Sequence, residues 1–110
     1  MNRGIILFAK DPQLNNVKTR LQKTLSAEQV LYLYQSFIKD MIKLLQQLDC
    51  ERRFIAFHSE DNKNRKPVFL KKFVRGFSLF KQEGQDLGKK MYYAFRYVAS
   101  QKISHMILIG

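Results

Sequence analysis

The sequence predicts an α/β fold, a parallel sheet of about four strands with helices on both faces. Two patterns point there. Short apolar runs, each about the length of a buried strand, alternate with stretches whose apolar residues recur every three or four positions. No Asn-Gly or similar two-residue turn joins two apolar runs, so crossover connections rather than hairpins are expected. The size agrees: 110 residues, 45% of them apolar, make one domain over residues 1–110 with a core of its own.

The elements follow in order. Arg3 to Ala9 is a short, unalternating apolar run, as expected of a strand buried on both faces. Lys10 to Thr24 breaks that pattern with Pro12, Asn15, Asn16 and several cations, and reads as a long polar loop. Ser26 and Gln29 then form a capping box. Behind it Val30, Tyr34, Phe37, Ile38, Met41, Ile42, Leu45 and Leu48 mark a helix from about 27 to 48.

Arg53 to His58 reads as the second strand. Val68, Phe69, Phe73 and Val74 suggest a short amphipathic helix closing at Gly76. Phe77 to Lys81 is the third strand. Asp86 caps a second long helix with Leu87, Met91, Ala94, Phe95, Val98 and Ala99 at helical spacing, and Ile103 to Ile109 is the fourth strand.

Composition narrows the functional classes. Lys and Arg number 20 against 9 Asp and Glu, a net charge of +11, which favours an anionic partner: a nucleotide, a nucleic acid or an acidic membrane face. The single cysteine, Cys50, makes neither an intrachain disulfide nor a thiolate zinc site, and points to a reducing compartment. The apolar run Ile5 to Ala9 is shorter than that of a signal peptide, and no stretch reaches the ~18 apolar residues of a membrane span. A cytoplasmic location is the expectation.

In a sheet of this kind ligands sit beyond the carboxyl ends of the strands, so Lys10 to Arg20, His58 to Asn64 and Lys81 to Gly88 are the candidate segments. The first concentrates Lys10, Lys18, Thr19 and Arg20, suited to phosphate but equally consistent with a solvated basic loop, and it lacks the glycines of a P-loop. Gly84, Asp86 and Gly88 open a helix where a ligand can approach the backbone, or simply form a capped turn. His58 and His105 match no zinc spacing and read as structural. Lys63, Arg65, Lys66, Lys71, Lys72 and Arg75 form a basic cluster beside Asp61, read as a solvated helix face in preference to a nucleic-acid surface.

Two segments carry a resemblance. Phe8 to Leu21, FAKDPQLNNVKTRL, resembles the opening FAKxPxxGxVKTRL signature of a bacterial glycosyltransferase-like family, and Gly84 to Met91, GQDLGKKM, resembles its GxDLGxRM. That family is similar to phospholactate guanylyltransferases and to the nucleotide-diphospho-sugar transferase (GT-A-like) fold. The resemblance implies that Lys10, Lys18 and Arg20, supported by Thr19, meet the phosphates of a nucleoside triphosphate or nucleotide sugar. It implies that Gly84, Asp86, Leu87 and Gly88 line the same pocket.

The chain departs from the pattern at Asn15, where the family has Gly, and at Lys89, where an acid is frequent. In the family a strand like Met106 to Gly110 runs into an Asp-Ser-Pro type motif whose Asp holds Mg2+ or Mn2+. The expectation is therefore an incomplete nucleotide-binding domain, the N-terminal part of a transferase truncated before its metal motif. The alternatives are a basic nucleic-acid-binding module and a non-catalytic fragment that self-associates through an open sheet edge.

Overall fold

The computed structural model describes residues 2–10, 24–58, 70–73 and 76–110. They form four strands, β1 (Arg3–Lys10), β2 (Arg52–His58), β3 (Ser78–Lys81) and β4 (His105–Ile109), and two helices, α1 (Ala27–Gln47) and α2 (Leu87–Ser100). A short 3-10 helix, Leu70–Phe73, precedes β3. The rest of the amphipathic helix expected around it, and the basic cluster through Lys66, lie outside the described residues.

All strands are parallel, in the order β3-β2-β1-β4. The chain steps from β1 to β2 through α1 in one direction, then returns past both from β3 to β4 through α2. Crossovers of one hand in opposite directions put their helices on opposite faces. The core divides accordingly. Ile5, Leu7 and Ala9 of β1 meet Ile38, Ile42 and Leu45 of α1. Ile6 of β1, Phe54 and Ala56 of β2 and Val98 of α2 form the other layer. Alternation along β1 serves both layers, which is why its sequence shows no polar alternation.

Each helix is delimited by named groups. The Ser26 hydroxyl accepts from the Gln29 backbone N–H while the Gln29 side chain accepts from the Ser26 N–H, completing the expected capping box. The last turn of α1 contains no basic residue. Arg53 supplies that charge from β2, donating from Nε to the Leu45 carbonyl at 2.7 Å and from its terminal nitrogen to the Gln46 and Leu48 carbonyls. Arg3 fixes the start of β1 to the turn before β2: its backbone N–H donates to Glu51 Oε2 at 2.6 Å, and its guanidinium lies near Asp49 and Glu51.

The helical spacing marked more residues than the core takes in. Phe37 of α1, Leu48 at its C-cap, and Leu87 and Ala99 of α2 are exposed, because a helix lying on a sheet buries a narrower stripe than its apolar positions span. Met91 and Phe95 are half-buried at the margin of that stripe. Cys50 is half-buried against the α1 layer, as its expected packing role requires.

Candidate functional site

The sheet order reverses at β1, between β2 on one side and β4 on the other, and a cleft opens there at the carboxyl ends of the strands. Its volume is about 440 Å³. β1 contributes Phe8, Ala9 and Lys10, β2 contributes His58, and Gln82 and Gly110 stand one residue past the ends of β3 and β4. Tyr34, Phe37 and Ile38 of α1 form one wall, and Lys90 of α2 reaches in from the other face.

Local chemistry fixes several of these groups. Lys10 and His58 are register partners, so the parallel pairing of β1 and β2 sets them side by side. The Lys10 backbone N–H donates to the Tyr34 hydroxyl at 3.0 Å, which ties the end of β1 to α1. Gln82 is held twice, its N–H donating to the Phe57 carbonyl and its side-chain amide to the Ala56 carbonyl, each at 2.8 Å. Lys90 Nζ stands 3.3 Å from His58 Nδ1. An ammonium only donates, so a hydrogen bond here is one that Lys90 gives and Nδ1 accepts.

The arrangement concentrates positive charge and donors. Among the described residues, the lining includes two lysines, a histidine and an amide, and no acidic side chain. Such a lining suits an anion, which charge-assisted donors hold. No group of three or more His, Cys, Asp or Glu that could hold a metal occurs among the described residues.

Of the residues singled out from sequence, Lys10 lines the cleft. Lys18, Thr19 and Arg20 lie outside the described residues. Gly84, Asp86, Leu87 and Gly88 lie beside the cleft, on the loop and first turn that carry Lys90, and are not among its lining residues. Asp86 caps α2, Oδ1 accepting from the Lys89 N–H at 2.8 Å. Gly84 has φ +124°, and a Cβ there would sit 2.8 Å from the Lys90 backbone nitrogen, so the turn needs glycine for its own geometry. Gly88 is different: its nearest neighbour to a Cβ is Asp86 Oδ1 at 3.4 Å, so packing does not demand glycine there.

Sequence reasoning read His58 as structural and did not single out Tyr34, Gln82 or Lys90. The rule that ligands sit beyond strand ends had included His58 and Gln82 within its candidate segments. Lys90 carried a weaker signal, lying four residues past the Asp86 cap and so facing back along α2 toward the strand ends. His105, by contrast, opens β4 at its amino end, away from the cleft.

Residues 41–110, more than half of the chain, match the family described as "Uncharacterized protein conserved in bacteria (DUF2064)". The chain belongs to this family. The matched span includes Gly84 to Met91 and does not reach Phe8 to Leu21. No curated protein matches the chain. Among solved structures, it is similar to a crystal structure of a candidate nucleotide-diphospho-sugar transferase from Desulfovibrio desulfuricans G20, with a TM-score of 0.82 and 26% identity. The match covers all of this DUF2064 chain and 47% of the other, so the chain spans about half the length of that protein. The fold expected from the resemblance is thus the fold observed. Among the described residues no helix is long and apolar enough to cross a membrane.

Proposed function

We propose that this chain is a glycosyltransferase-like nucleotide-binding protein whose cleft holds the phosphates of a nucleoside triphosphate or nucleotide sugar. The observation that carries the reading is the convergence of Lys10, His58 and Lys90 at the strand ends, with no acidic side chain among the described lining residues. Charge-assisted hydrogen bonds of this kind contribute about 1.5–3 kcal/mol each. A diphosphate would give Lys90 a partner that the His58 ring supplies only weakly. Lys18, Thr19 and Arg20, on the segment that follows Lys10, extend the phosphate contacts in this reading, and Gly84, Asp86, Leu87 and Gly88 flank them. The similarity to a candidate nucleotide-diphospho-sugar transferase supports the choice of ligand. The reaction served is transfer of a glycosyl or nucleotidyl group, the second by the resemblance to phospholactate guanylyltransferases.

Calorimetric titration of the folded chain with nucleoside diphosphates, nucleoside triphosphates and nucleotide sugars tests the proposal. Lys10→Ala, Lys90→Ala, Lys18→Ala and Arg20→Ala should each weaken binding roughly 10- to 150-fold, as loss of one charge-assisted contact implies. Raised salt should weaken it further. Absence of binding at millimolar ligand by a folded chain would reject the proposal.

A further inference from the structure

We infer that the groove between α2 and β3 is a stacking site for single-stranded nucleic acid, separate from the nucleotide cleft. Phe80, Lys81, Glu83, Tyr93, Ala94 and Tyr97 enclose about 250 Å³ there, and none of them lines the cleft. The outer face of α2 carries Tyr92, Tyr93 and Tyr97 at 59%, 44% and 41% exposure. Tyr92 touches Tyr93, and Tyr93 and Tyr97 line the same groove, so the three form one patch instead of scattered single residues.

The cations are interleaved with the rings. Lys89, Tyr93 and Tyr97 follow one another at four-residue spacing, and so do Tyr92 and Arg96, which makes each set neighbours on the helix surface. Of the three cations in Leu87–Ser100, Lys90 turns into the cleft, which leaves Lys89 and Arg96 beside the rings, while Lys81 accompanies Glu83 in the groove. The chain as a whole carries +11. Tyr97 stacks on Phe80 with ring centres 4.5 Å apart, which braces the platform on the sheet, while Tyr92 and Tyr93 meet edge to face at 5.4 Å and hold each other upright. A charge stripe alone draws any polyanion; exposed rings beside a slot select one whose flat bases are unpaired. A bilayer surface would be met by protruding apolar side chains, whereas this is a recess. β3 is at the edge of the sheet opposite β4, so anything that joins the sheet beside β4 leaves the groove open.

The test is fluorescence anisotropy of a labelled oligothymidylate of about a dozen nucleotides, with saturating nucleoside triphosphate to block the cleft, against a duplex of equal length. The inference expects tighter binding to the single strand and a loss of about tenfold for Tyr93→Ala, while Tyr93→Phe keeps the affinity. Arg96→Ala should reduce the salt slope by about 0.7. Equal affinity for strand and duplex, with Tyr93→Ala within about twofold of the parent, would overturn it and leave a purely electrostatic attraction. So would binding confined to anionic vesicles. Circular dichroism verifies that the variants fold, which substitutions at exposed positions should allow.

Discussion

Replacing two glycines four residues apart should have opposite effects. At Gly84, φ is +124°, and an added Cβ would lie 2.8 Å from the Lys90 nitrogen and 2.9 Å from Lys89 C and Cβ. Carbon contacts relax only beyond about 3.5 Å, and two of these neighbours are backbone atoms of a helix that cannot swing aside. Backbone strain of about 1–3 kcal/mol adds to overpacking of similar size, less whatever the exposed loop absorbs, so Gly84→Ala should cost about 3 kcal/mol. In a domain of this size that lowers Tm by roughly 12 °C or more. It should also weaken nucleotide binding, because the displaced segment carries Lys90. At Gly88 the nearest atom is 3.4 Å away, and alanine should stabilise α2 by about 0.5 kcal/mol. If a ligand approaches the backbone at Gly88, that same alanine weakens nucleotide affinity while raising Tm. Urea unfolding followed by circular dichroism reads the stability of both variants. A Gly84→Ala protein within about 0.5 kcal/mol of the parent would refute the reasoning.

Other outcomes follow from the same contacts. Arg53→Ala removes the guanidinium bonds to three carbonyls at the end of α1, of which that of Leu45 keeps the Leu48 N–H, and should cost about 2 kcal/mol, since two of the three bonds are exposed; Arg53→Lys should recover part of it in the same urea titration. Glu51 titrates below the ordinary carboxylate range, chiefly because the Arg3 backbone N–H donates to it. Its contribution to stability is full above the unfolded carboxylate's pKa near 4.3 and is lost as pH falls through the folded value. The fall in stability on acidification should therefore be shallower in Glu51→Gln, as thermal melts between about pH 6 and pH 3 would register. Tyr34→Phe removes the acceptor for the Lys10 N–H and should lower nucleotide affinity more than stability, which calorimetry and melting together distinguish.

The architecture was legible because the physics that sets it is local and periodic. The capping box at Ser26, the Asp86 cap and the unalternating run of β1 each stand in the sequence as a few adjacent residues, and each forms as expected. The site was legible only in outline. Lys10 could be named because it stands at the end of a strand, but His58 and Lys90 are 32 residues apart and meet only once β2 and α2 pack on one sheet. The Arg53 cap is hidden for the same reason, as a strand residue serving a helix end. The tyrosines of α2 were unremarkable as sequence, because whether a ring at helical spacing is buried depends on how wide a stripe the sheet covers.

The central claim is that the cationic cleft at the strand ends, and no other part of the surface, receives the nucleotide's phosphates. An amide-resolved NMR titration with a nucleoside triphosphate tests it most directly. The account predicts the largest shifts at Lys10, His58, Gln82, Lys90 and Gly110, with little change along β3 and the outer face of α2. Shifts spread over the basic surface without a maximum at those five residues would contradict it.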